Sequence, residues 1–265
     1  MNNQLSTDQT HLQVQPDQMR QSTSYFQHEK RDLVEGTSQQ DGDQRQALIV
    51  FLENIGYIHG LSLPQWTQNL IDFVLEEYAK IALRWHGVYR HYDQVIILED
   101  ADATGQKLAD ALKMASRTHI VDVMLLVHGH QQCLVGYKGK EMVGKETFGP
   151  LLRDYKADPS LLNLRMIFGV NCFGASLAPV WLELGAKVAN GALGVNWLPE
   201  PSISIFLHHW LRGHPFSQAI GRSNQIARNW GNRVLASGKS GSEHPAIASS
   251  RQTIYGISDL TIHST

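Results

Sequence analysis

From about residue 93 onward, short apolar runs alternate with stretches of helical periodicity, and this alternation restricts the chain more than any other feature. "QVIILED" (94–100) reads as a strand. "ADATGQKLADALKMASR" (101–117) reads as a helix with Leu108, Ala111, Leu112 and Ala115 facing inward, and "VDVMLLVHGH" (121–130) as a second strand. "CLVGYKGKEMVGKETFG" has short β-prone pieces around Gly and Lys and reads as a hairpin, followed by a short helix over "GPLLRDYK". "LRMIFGVNC" is the next strand, "GASLAPVWLEL" its following helix, and "AKVANGALGVNW" another strand. Two closing helices, "SISIFLHHWLRG" and "PFSQAIGRSNQIARNWGNRV", and an edge strand within "SRQTIYGISDLTI" complete the pattern. Strands that are apolar on both faces, separated by helices, predict an α/β fold with a mainly parallel central sheet and helices on both faces.

Upstream the pattern differs. Residues 1–45 carry ten glutamines with few large apolar groups, too little burial to offset the entropy of ordering, and are expected to form a mobile polar tail. Residues 46–90 are expected to form an N-terminal helical segment. "ALIVFLENIGYI" opens it as a short buried helix, and in "LSLPQWTQNLIDFVLEEYAKIALRW" Trp66, Leu70, Phe73, Val74, Ile81 and Trp85 form one apolar helical face. Residues 91–265 are then the main domain. A formal net charge of −2 favours neither nucleic acid nor an anionic membrane as partner. No apolar run is long enough to span a bilayer, and the start of the chain lacks a signal-peptide core. Two cysteines, Cys133 and Cys172, form neither a disulfide framework nor a zinc-ligand set, which fits a reducing compartment such as the cytoplasm.

In open parallel sheets, ligands sit beyond the carboxyl ends of the strands. Two reactive residues fall there: His128 directly after "VMLLV" and Cys172 directly after "MIFGVN". If the two strands are neighbours, both side chains open into one crevice. Taken alone, a free cysteine is among the most buried residue types and a lone histidine is often a structural group. Taken together, with Gly129 and Gly174 beside them, the pair suits nucleophilic catalysis. The thiolate attacks a carbonyl, the imidazole moves the proton, and the N–H groups of Gly129 and Cys172 stabilise the oxyanion.

"VMLLVHGH" followed by "MIFGVNCFGAS" resembles the paired blocks of the caspase-like cysteine peptidases, a clan that includes caspases, legumain, gingipains, separase and the bacterial CHAT group. The resemblance implies a caspase-like three-layer sandwich, His128 and Cys172 as the catalytic dyad, and Gly129 as the oxyanion glycine. "VNCFG" keeps the Cys and the Gly two residues on, and the His lies 44 residues upstream, as the caspase signature asks in outline. Val170, Asn171 and Phe173 depart from that signature and point away from an animal-type caspase. "AKVANGALGVNW" and "FLHHWLRGHPFSQAIGRSNQ" are similar to the downstream part of the CHAT group. That likeness implies a bacterial peptidase acting on a protein or peptide substrate in regulated proteolysis or defence, with an activating partner protein.

Acidic residues at the strand ends bear on specificity. Asp100 ends "ILED" and Glu200 lies in "NWLPEP"; both are candidate substrate-binding residues that would favour Arg or Lys before the scissile bond, although Asp100 or Asp102 could instead cap the following helix. No cofactor or metal is expected, since His128 and His130 lack a third ligand in register and "GYKGKEMVGK" lacks P-loop spacing. Two other readings stay open. One is an α/β-hydrolase with a Cys nucleophile, whose acid and base would be Asp259 and His263. The other is a non-catalytic caspase-like binding protein.

Overall fold

The computed structural model of the chain describes residues 28–29, 44–53, 78–235 and 243–265. Its strands are β1 (His28–Glu29), β2 (Gln46–Leu52), β3 (Gln94–Leu98), β4 (Ile120–Leu126), β5 (His128–His130), β6 (Cys133–Val135), β7 (Met142–Val143), β8 (Leu164–Gly169), β9 (Val188–Ala192) and β10 (Gln252–Gly256). Its labelled helices are α1 (Val88–His91), α2 (Gly105–Ser116), α3 (Lys145–Ala157), α4 (Ala178–Glu183), α5 (Pro199–Trp210), α6 (Phe216–Leu235) and α7 (Pro245–Ser250). One sheet runs in the order β1-β3-β2-β4-β8-β9-β10, and β5, β6 and β7 form a small antiparallel sheet of their own. The five inner strands are parallel, while β1 and β10 lie antiparallel at the edges.

Alternation along the inner strands divides the apolar side chains between two layers. Ile49, Phe51, Val123, Leu125 and Ile167 pack with Leu108, Leu112, Phe148, Leu151 and Trp181 from α2, α3 and α4. Val50, Met124, Leu126, Met166 and Phe168 pack on the opposite face with Phe206, Trp210, Phe216 and Ile220 from α5 and α6. Each such large side chain contributes roughly 1.5–3 kcal/mol by leaving water. The expected mainly parallel sheet with helices on both faces is what these contacts build.

The start of the described chain departs from expectation. "ALIVFL" is no helix: as β2 it lies in the middle of the sheet, parallel to β3 on one side and β4 on the other. A short run apolar at every position suits a doubly buried strand as well as a buried helix, and only the neighbouring strands decide. The sheet therefore includes part of the expected helical segment 46–90, and the division at residue 91 does not separate two bodies. Residues 78–85 are helical, but Ala79, Ala82 and Leu83 are buried while Ile81 and Trp85 are exposed, so the buried face is rotated from the expected one. Trp66, Leu70, Phe73 and Val74 lie outside the described residues. Within the expected tail, His28–Glu29 pair with β3, and residues 1–27 and 30–43 lie outside the described residues.

The helix after β3 starts later than expected, at Gly105. Thr104 caps it by accepting the Lys107 N–H at 3.3 Å, so neither Asp100 nor Asp102 is its N-cap.

Candidate active site

Strands β4 and β8 are hydrogen-bonded parallel neighbours, with Leu125 opposite Gly169. Their chains run on through Val127 to His128 and through Val170 and Asn171 to Cys172, so both reactive residues emerge at the same carboxyl end of the sheet. His128 then opens β5, and the small sheet β5–β6–β7 stands beside the Cys172 turn. His128 is half-buried with its Nε2 shielded from solvent, and Cys172 is a free, half-buried thiol.

Two glycine contacts set the separation. A Cβ on Gly129 would stand 2.3 Å from the Cys172 carbonyl oxygen, so only glycine lets the strand after His128 lie against the Cys172 loop. On the other side, a Cβ on Gly191 would stand 2.0 Å from the Gly174 carbonyl carbon, so the loop is seated directly on β9. Between these walls the chain turns tightly. Phe173 is left-handed at φ 55°, a conformation costing roughly 1–2 kcal/mol for a non-glycine residue. Its N–H donates to the Gly194 carbonyl at 2.8 Å, the Gly174 N–H donates to the Asn171 carbonyl at 3.3 Å, and the Phe173 ring stacks on His130 with centroids 6.2 Å apart. The Gln132 N–H adds a bond to Ser176 Oγ at 2.8 Å, latching the small sheet onto the same turn. The Cys172 Sγ accepts the Asn196 backbone N–H at 3.3 Å, and the Cys172 N–H makes no hydrogen bond among the described residues.

The other predicted residues lie apart from this pair. Asp100 is exposed after β3, in a three-residue turn beside the Tyr137–Gly139 turn that carries Lys138. Glu200, in the first turn of α5, accepts the Ser204 hydroxyl at 3.2 Å, and burial raises its carboxyl pKa above the usual range. Among the described residues no hydrogen bond or ion pair joins either carboxylate to His128 or Cys172. A third carboxylate ends the strand next to β4. Glu53 follows β2 directly, its N–H donates to the Leu126 carbonyl at 3.3 Å, and its buried side chain accepts the Lys138 N–H at 2.7 Å. Sequence reasoning missed it by reading "ALIVFLE" as helix; read as a strand, it would have put Glu53 at a carboxyl end like the other two.

The α/β-hydrolase triad is not assembled. The Arg165 guanidinium, at the amino end of β8, donates to the carbonyls of Ile262 and Ser264, which holds the His263 segment at the pole of the sheet opposite Cys172. Asp259 is exposed in the same segment. Among the described residues no helix is long and apolar enough to cross a membrane, and no three His, Cys, Asp or Glu side chains are placed to hold a metal ion.

No protein-family model and no curated protein matches the chain. Solved structures do. The chain is similar to pro-sf-caspase-1, at TM-score 0.50 and 10% identity over 81% of this chain and 92% of that one. Caspase-1 from Spodoptera frugiperda aligns at TM-score 0.46 and 13% identity over 82% of this chain and 90% of that one. The complex of Porphyromonas gingivalis RgpB pro- and mature domains aligns at 0.48 and 15% over 82% of this chain, which spans 48% of the length of that chain. With five parallel strands, two helical layers and the His and Cys loops at neighbouring strand ends, the chain has the caspase-like fold.

Proposed function

We propose that the protein is a cysteine endopeptidase that cleaves a protein substrate with His128 and Cys172. The observation that carries this reading is the emergence of both residues from adjacent strands β4 and β8, with Gly129 packed against the Cys172 peptide. In the first step His128 takes the Cys172 thiol proton, Sγ attacks the scissile carbonyl carbon, and the N–H groups of Gly129 and Cys172 take up the charge developing on oxygen. His128 delivers a proton to the departing amine, the C–N bond breaks, and the acyl group stays on sulfur. Water, deprotonated by His128, then attacks the thioester and releases the acid and the thiol. Purified protein assayed on a peptide library is expected to lose turnover by at least about 10³-fold in both Cys172→Ala and His128→Ala, since each removes a reacting group. Full activity in either variant would refute the assignment. A wild-type protein that binds peptides and cleaves none would favour the non-catalytic reading.

Cleavage after Arg or Lys is part of the proposal, supported by the acidic character of the strand ends: Glu53 after β2, Asp100 after β3 and Glu200 after β9. Glu53 is the strongest of the three, because burial beside β4 strengthens its field. Glu53→Gln is expected to lower kcat/KM for Arg- and Lys-ending peptides about tenfold or more, and preferential cleavage after Asp would exclude basic specificity. A role in regulated bacterial proteolysis or defence, switched on by a partner protein in the cytoplasm, follows from the CHAT-like stretches. It is tested by adding candidate partners to the purified chain and measuring turnover.

A further inference from the structure

We infer that Asn196 is a positioning residue for the nucleophile, an inference that rests on Cys172 being the attacking group. The loop 193–198 between β9 and α5 is tied down at several points. The Gly194 N–H donates to the Ser249 carbonyl at 2.9 Å, Ser249 Oγ to the Val195 carbonyl at 2.8 Å, and the Trp197 N–H to Ser250 Oγ at 2.8 Å. Ser250 Oγ in turn donates to the Ala246 carbonyl at 2.7 Å within α7. α7 therefore holds the loop like a splint, and the loop reaches the Cys172 turn through the Gly194 carbonyl, which accepts the Phe173 N–H at 2.8 Å, and through Asn196.

Asn196 makes three contacts that act together. Its side-chain Nδ2 donates to the Val170 carbonyl at 2.6 Å, two residues before the nucleophile. Its Oδ1 accepts the Leu198 N–H at 3.1 Å, which fixes the turn of its own backbone. Its backbone N–H then points at Cys172 Sγ, 3.3 Å away. A cysteine side chain has three staggered rotamers, and a donor aimed at the sulfur selects one of them. Because effective attack requires the reacting atoms aligned within about 3–3.5 Å, selecting that rotamer before substrate arrives lowers the barrier without adding to substrate affinity. The Asn side chain is suited to this task because one amide supplies both the donor for Val170 and the acceptor for Leu198.

The experiment separates this role from a purely structural one. Asn196→Ala and Asn196→Asp are compared with wild type in the rate of Cys172 alkylation by iodoacetamide without substrate, with Cys133 followed separately by peptide mass, and in kcat and KM on a cleaved peptide. Loss of the side-chain bonds to Val170 and Leu198, which aim the backbone N–H at Cys172 Sγ, is expected to slow alkylation and kcat each by about tenfold while KM stays within about twofold. Asn196→Asp keeps the acceptor for Leu198 but sets a carboxylate oxygen against the Val170 carbonyl, and is expected to be at least as slow. Wild-type alkylation and kcat in both variants would overturn the inference, as would a parallel loss of kcat and affinity with a lowered melting temperature. Should both variants fail to fold, Ser250→Ala decides, because it frees the Trp197 end of the splint: slower alkylation supports the inference and an unchanged rate overturns it. Alkylation does not require peptidase turnover. A Cys172→Ala protein that still cleaves peptides would therefore refute the nucleophile assignment and be distinguishable from a failure of Asn196.

Discussion

At the scale of single residues, the site depends on two positions where a side chain has no room. Gly129 is the more consequential, since a methyl group there meets the Cys172 carbonyl oxygen at 2.3 Å, far inside contact distance, and that oxygen belongs to backbone that must move as a unit. Gly129→Ala is therefore expected to displace Cys172 by a fraction of an ångström or more and to cost about 100-fold in kcat/KM, while destabilising the fold by only about 1–3 kcal/mol. Steady-state kinetics beside a urea melt checks both halves, and an alanine variant of near-normal activity would show that the two loops are not rigidly apposed. Asn171 and Phe173, the departures from the caspase signature, have local tasks. Asn171 is buried under the turn with Nδ2 donating to the Cys172 carbonyl at 3.4 Å, and Phe173 takes the left-handed corner and stacks on His130.

At the scale of elements, the end of α5 forms a basic cluster with a pH consequence. The rings of His208 and His209 are 5.2 Å apart and those of His209 and His214 5.1 Å apart, with His208 against Arg212. Burial lowers the pKa of His86, His208 and His209 below the ordinary imidazole value, and the cations facing them lower it further: His208 and Arg212 for His86, Arg212 and His214 for His208, and His208, His214, Arg222 and Arg212 for His209. A base with a depressed folded pKa contributes stability that is present above its unfolded value, near 6.5, and is lost as the pH falls through it. The melting temperature is expected to drop between pH 7.5 and pH 5.5, and His208→Gln combined with His209→Gln to flatten the drop. An equally steep drop in the double variant would refute that origin. Glu200, on the first turn of the same helix, has the opposite sign. Its raised folded pKa makes the ionised carboxylate destabilising as pH rises above the ordinary glutamate range, so Glu200→Gln is expected to raise the melting temperature at pH 7 and leave it unchanged at pH 4.

At the scale of the whole molecule, the two poles of the sheet carry different duties. At the amino pole Arg165 and Asp122, both wholly buried, form an ion pair at 2.7 Å, joined by Tyr92, Gln46 and the last residues of the chain. Burial disfavours charge on Arg165, but Asp122 beside it outweighs that and holds its pKa above the ordinary value; burial and then the same carboxylate raise Tyr92. Arg165→Met leaves Asp122 charged and unpaired in the interior and is expected to cost about 3–5 kcal/mol in a denaturant melt. Because the length of β8, about 20 Å, separates Arg165 from Cys172, kcat of the folded fraction is expected to stay at the wild-type level. A folded variant with lost kcat would show that the poles are coupled.

The sequence by itself determined the layer architecture, because strands apolar at every position and helices apolar on one stripe admit few other arrangements, and "QVIIL", "VMLL" and "RMIFG" take the roles their patterns predict. It also singled out His128 and Cys172, since reactive side chains directly after buried strands have nowhere to go but the rim of the sheet. Only the tertiary structure decided that β4 and β8 are neighbours, that "ALIVFL" is a central strand ending in Glu53 beside β4, and that Asn196 reaches the Cys172 sulfur. Hydrophobic periodicity records which faces are buried and says nothing of which strand lies beside which. Strand order and loop contacts arise from long-range pairing and close approach, and no local pattern encodes them.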